Sequence, residues 1–113
     1  MIEVTCSGDD NDLTVVSLKG YIDATTVDII EQKLIELVSL EKYKLIIDLK
    51  DTEYINSSGW GVFLRDLKNI RENNGALVLA NMSPDVFNVF ETMEFSKIFK
   101  SFDSIEGACA SFR

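Results

Sequence analysis

Two adjacent serines, Ser57 and Ser58, lie in Asn56-Ser57-Ser58-Gly59-Trp60-Gly61, the segment whose residue types and spacing come closest to a site for chemistry. A serine hydroxyl in such a place can attack a carbonyl, cradle a phosphate, accept a phosphoryl group or cap a helix. Attack is disfavoured. The nucleophile elbow needs glycine two residues before the serine, where Ile55 stands, and the chain has no histidine to serve as base. A phosphate cradle is also poorly supported, because no lysine follows the glycines and the third glycine of a dinucleotide fingerprint is missing. From spacing alone Ser57 reads first as a helix cap, since serine is among the best cap residues. Phosphorylation there would add about two negative charges at a helix N-terminus, whose dipole favours them.

The elements that position this segment follow from periodicity. Ile2 to Cys6 reads as a strand, 7–12 as a hairpin loop dense in turn formers, and Leu13 to Leu18 as a second strand ending at Gly20. Val27, Ile30, Leu34, Leu37 and Val38 recur at helical spacing, so 24–39 is an amphipathic helix, with Thr25 and Asp28 placed for a capping box. Tyr43 to Leu49 is a nearly continuous apolar run of the kind found in a strand buried on both faces. Residues 48–61 then lead through a loop into a second helix that begins near Ser57 and stops at Asn73-Asn74-Gly75. On that helix Trp60, Phe63, Leu64, Leu67 and Ile70 share one face, and Arg65, Asp66, Lys68, Arg71 and Glu72 share the other, read as solvated.

Ala76 to Ala80 is a further apolar strand, and Ser83-Pro84 opens a helix whose inner face is Val86, Val89, Phe90 and Met93. A short strand at 98–100 and a last helix at 103–110 complete the chain. Phe87, Phe90, Phe95, Phe99 and Phe102 read as core. Strands alternating with helices predict a single α/β domain over 1–113, with a mixed, mostly parallel sheet of four to five strands and about four helices.

Composition excludes several classes. The 113 residues are 46% apolar and 27% charged, which is ordinary for a globular domain. Eleven basic and nineteen acidic residues leave a net charge of −8, which disfavours nucleic acid and favours solubility or a partner with a basic groove. Without histidine no imidazole metal site exists, and no metal or cofactor is expected. Cys6 and Cys109 are far apart in sequence and read as buried free thiols. No signal peptide and no apolar run near the ~20 residues of a membrane span are visible, so the chain reads as cytoplasmic, not membrane-bound, and as a monomer by default. No general base is evident beyond scattered carboxylates, so enzymatic activity is not expected.

Asn56-Ser57-Ser58-Gly59-Trp60-Gly61 resembles the Asp-Ser-Ser/Thr-Gly-Leu-Gly signature of the STAS-domain family of bacterial anti-sigma factor antagonists. The likeness extends along the chain. Gly20-Tyr21-Ile22-Asp23-Ala24-Thr25-Thr26 is similar to the family's Gly-x-Leu-Asp-x-x-Thr segment, and Leu45 to Leu49 to its central strand. Asn74-Gly75 and Ser83-Pro84 also fit. The resemblance implies a regulatory binding protein that captures an anti-sigma factor, often itself a serine kinase, and so frees a sigma factor for transcription. It further implies that the kinase phosphorylates Ser57 to end binding, that a phosphatase reverses this, and that Asp23 lies beside the serine loop. Asp23, Asn56, Ser57, Ser58, Gly59 and Trp60 are then the expected partner-binding residues.

Two positions depart from the family pattern. Asn56 replaces the usual Asp, which favours an alternative in which the chain is an unphosphorylated scaffold or sensor subunit. Trp60 replaces Leu or Ile and reads as core, with a partly exposed interface anchor as the sharper option. A small-ligand or nucleotide carrier using the helix N-terminus at Ser57 is the remaining alternative.

Overall fold

A computed structural model describes residues 2–8 and 13–112, without the side chains of Ile2, Thr5, Cys6 and Ser7. The tip of the expected hairpin at 9–12 and the burial of the Cys6 thiol therefore lie outside the described residues. The strands are β1 (Ile2–Gly8), β2 (Thr14–Ile22), β3 (Lys44–Ile55), β4 (Ala76–Ala80) and β5 (Ser101–Phe102). They form one sheet in sequence order, with β1 antiparallel to β2 and the other pairs parallel. The helices are α1 (Val27–Ser39), α2 (Ser57–Glu72), α3 (Pro84–Thr92) and α4 (Ile105–Ala110), with a 3-10 turn at Phe95–Lys97. The expected mixed α/β domain is what forms.

Strand alternation divides the apolar residues between two layers. Val16, Leu18, Leu45, Ile47, Leu49, Leu77 and Leu79 join the larger core with Ile30 and Leu34 of α1, Phe63 and Ile70 of α2, and Phe90 of α3. Ile46, Val78 and Ala80 form a smaller core with Ala108 of α4. This explains the continuous apolar run in β3: both of its faces are covered where Leu45 to Ile47 pass.

Several boundaries differ from the expectation. α1 starts at Val27, not 24, because Asp23 folds the chain into a tight turn first. The Thr25 N–H and hydroxyl both donate to Asp23 Oδ1, at 2.9 and 2.6 Å, so no Thr25–Asp28 box forms. β2 runs past Gly20 to Ile22, and β3 runs on to Ile55 where a loop was expected. Parallel pairing of Tyr21 with Tyr54 and of Ile22 with Ile55 holds both strands extended to the end.

At the C-terminal side the 3-10 turn takes up 95–97, and the fifth strand is Ser101–Phe102 instead of 98–100. α4 begins at Ile105 behind the Ser104 cap, not at 103. Val86 and Phe90 are buried on α3, whereas Val89, Met93 and Phe87 are exposed, because only one narrow stripe of this two-turn helix meets the sheet. Phe99 is buried, but Phe95 and Phe102 are only partly so. Cys109 is likewise a partly exposed free thiol packed against the smaller core, not a fully buried one.

Candidate functional site: the helix start at Ser57

β2 and β3 end together, and the chain turns at this shared end into α1 and α2. The Asn56 N–H donates to the Ile22 carbonyl at 2.9 Å, which ties the start of α2 to the residue before Asp23. Asn56 is extended (φ −89°, ψ −178°), and its side-chain Oδ1 accepts from the Gly59 N–H at 3.1 Å. Asn56 is therefore the cap, and Ser57 is the first helical residue. The expected capping role of Ser57 is overturned, because the residue before it already satisfies an orphan helix donor.

With that role filled, Ser57 and Ser58 are both exposed. Among the described residues neither hydroxyl forms a hydrogen bond within the protein. A free hydroxyl thus stands at the positive end of a sixteen-residue helix.

Asp23 stands beside this start through Ile22. Its carboxyl is held below the ordinary carboxylate range, chiefly by the Thr25 hydroxyl and then by the Thr25 N–H. Thr26 completes the turn: its hydroxyl donates to the Tyr21 carbonyl at 2.7 Å and accepts from the Asp23 N–H at 3.0 Å. The site accordingly carries a fixed negative charge whose orientation is set by two threonines, an arrangement legible in Asp23-Ala24-Thr25-Thr26 only as a local turn.

Acidic residues close to Ser57 in sequence differ in how near it they lie in space. Asp48 lies seven residues before the end of β3, roughly 23 Å at about 3.3 Å per residue. Its carboxylate accepts from the Ser17 hydroxyl, the Asn81 amide and the Lys50 N–H, a structural role in the sheet. Asp51 is also well removed. Glu53 stays near because it precedes Ile55 by only two residues.

Gly59 and Trp60 are buried at the start of α2. A Cβ on Gly59 would meet Ile22 Cγ2 at 2.6 Å and Ile55 Cγ2 at 2.9 Å. The glycine is there so that α2 can begin directly against the strand ends, not to admit a foreign backbone. Trp60 is 4% exposed, and its ring stacks on Phe95 at 4.8 Å, with Phe63 and Phe90 at 6.0 Å. This is the core alternative, and the exposed anchor does not form.

Sequence reasoning missed Asp66. It lies on the α2 face taken as solvated, yet it is buried and its Oδ2 has no hydrogen-bond partner. Desolvation pushes its carboxyl up to about 7 from 3.8. Among the described residues no cluster of three or more metal-ligating side chains occurs, and no helix is long and apolar enough to cross a membrane.

Comparison with known proteins agrees with this geometry. The family model described as the STAS domain matches residues 2–108. The anti-sigma-B factor antagonist of Bacillus subtilis is 32% identical over 90 residues, covering 80% of this chain and 81% of its own. Among solved structures, an anti-sigma factor antagonist from Mycobacterium paratuberculosis superposes with a TM-score of 0.89 at 22% identity, covering 98% of this chain and 93% of its own. The Bacillus cell fate determinant SpoIIAA in its phosphorylated form gives 0.77 at 20% identity, covering 98% of this chain and all of its own. A match along nearly the whole length, with the serine segment at the start of α2, leads to one conclusion: this chain belongs to the STAS-domain family of anti-sigma factor antagonists.

Proposed function

We propose that this chain binds an anti-sigma factor through the surface around Asp23, Asn56, Ser57 and Ser58, and that phosphorylation of Ser57 ends the binding. The observation that carries this reading is the unbonded, exposed Ser57 hydroxyl at the first turn of α2, beside the ionised Asp23. The names of the relatives support the class of partner. A serine kinase, which would be the anti-sigma factor itself, adds the phosphoryl group and a phosphatase removes it.

A phosphate on Ser57 would gain from the helix dipole, so the fold has no need to rearrange. Its effect falls on the partner. Like charge brought against a desolvated contact costs several kcal/mol, and ~4 kcal/mol is about a thousandfold in affinity. A local charge event is then sufficient for a switch.

Asn56 favours a second reading, the unphosphorylated scaffold. It keeps the cap that an Asp would supply but removes one negative charge beside the acceptor hydroxyl. Phosphopeptide mapping of the chain from its own cells separates the two: phosphate on Ser57 that changes with growth condition supports the switch, and its absence in every condition leaves the scaffold. With the captured anti-sigma factor in hand, Ser57→Ala should retain binding and Ser57→Asp should abolish it. Equal binding by both variants refutes the charge switch.

A further inference from the structure

Next to the serine segment, the end of β3 and the start of α3 enclose a cavity of about 100 Å³. Its lining includes Glu53, Tyr54, Trp60, Asp85, Val86 and Val89. At this size it is too small for a drug-sized ligand, whose sites run to about 300–1,000 Å³. It is large enough for one side chain. Its mouth is open, since Tyr54 is 53% and Val89 39% exposed. Its lining carries two carboxylates, two aromatic rings and no cationic side chain.

We propose that this cavity receives one arginine side chain from the protein partner. This rests on the reading that the Ser57 end of the sheet is the binding face. An arginine suits the carboxylates, the valines and the exposed ring of Tyr54 in this lining. The aliphatic stem packs on Val86 and Val89, and the planar guanidinium stacks on an aromatic face. Its five donors can serve Glu53 and Asp85 together, in the forked geometry that a lysine ammonium lacks. Charge complementarity points the same way, because the chain carries −8 and the open groove adjoining the cavity sets Glu3, Asp51, Glu53 and Asp85 against only Lys19 and Lys50. Trp60 forms part of the cavity wall. Phosphorylation at Ser57 and the arginine anchor would then act on one interface from two sides of the α2 start.

The test needs no identified partner. The blocked tripeptide acetyl-Gly-Arg-Gly-amide is titrated into the isotopically labelled full chain while amide and indole N–H signals are followed by NMR. Trp60 is the only tryptophan, so its indole signal is unambiguous. The arginine peptide should shift the Trp60 indole, Tyr54 and Val89 signals with millimolar affinity. The lysine peptide should shift them at least threefold more weakly, and a norleucine peptide not at all. Glu53→Gln with Asp85→Asn should abolish the response while the rest of the spectrum stays in place, and Glu53→Gln alone should weaken it. No shift up to 20 mM, or equal shifts from the arginine and norleucine peptides, overturns the proposal. Because the titration uses the unphosphorylated chain and reads only the cavity residues, failure here is distinct from failure of the phosphorylation switch.

Discussion

Replacing Asp66 by Asn should stabilise the protein, by an amount that grows with pH. Asp66 lies in the middle of α2, 7% exposed, with Oδ2 unpartnered. Its carboxyl titrates near 7 when folded and near 3.8 when unfolded, because burial disfavours the charged form. Between those values the unfolded chain has released a proton that the folded chain keeps, so stability falls as pH rises. The penalty is absent below about 3.8 and complete above about 7. A shift of roughly three units at 1.36 kcal/mol each sets an upper value of about 4 kcal/mol, and relaxation of the surroundings around the charged form brings the expected figure nearer about 2 kcal/mol.

Asn keeps the shape of Asp and removes the titration. The assay is urea unfolding, followed by Trp60 fluorescence at pH 5, 6, 7 and 8, of the natural chain and Asp66→Asn. The absence of histidine leaves this window nearly free of other titrating side chains, and those shared by both proteins cancel in the difference. The stability gap should widen by about 1–3 kcal/mol from pH 5 to pH 8. A gap that stays constant across the range, or one that narrows, refutes the reasoning.

Three further outcomes follow from the start of α2. Asn56→Ala should lose about 1 kcal/mol, measured by urea unfolding, because the Gly59 N–H loses its acceptor, whereas Asn56→Asp should be neutral or slightly stabilising. Gly59→Ala should destabilise by about 1–3 kcal/mol through its clash with Ile22 and Ile55, while Gly61→Ala, whose nearest atom is Arg65 Nη1 at 3.7 Å, should stabilise by up to about 1 kcal/mol. Opposite signs at two glycines two residues apart are the check. Trp60 emission should be blue-shifted and poorly quenched by iodide, and free quenching would contradict its packing against Phe95.

Much of this fold is legible in the chain because its signals are local. The apolar runs at 45–49 and 76–80 need burial on both faces, and Ser83-Pro84 is a helix start by its own chemistry: the Ser83 hydroxyl accepts from the Val86 N–H at 3.2 Å. The serine segment was legible as a candidate site for the same reason, being a helix start after a buried strand. Its internal roles were not. Spacing offers Ser57 as the cap, and only the strand pairing that extends β3 to Ile55 moves the cap to Asn56 and frees the serine hydroxyl.

Tertiary structure also decided which acidic residues share the site. Asp48 and Asp51 lie close to Ser57 in sequence, but an extended strand carries each of them away at about 3.3 Å per residue, whereas Asp23 arrives from a different strand through parallel pairing. Asp66 is the clearest case. Helical periodicity divides α2 into one apolar and one polar face, but α1 packs against α2 beside the sheet while Trp60 meets Phe90, Phe95 and Phe99, and a stripe wider than the periodicity predicts is buried. Periodicity reports which face a residue occupies on its own element; how many neighbours that element has is a property of the assembled sheet and helices.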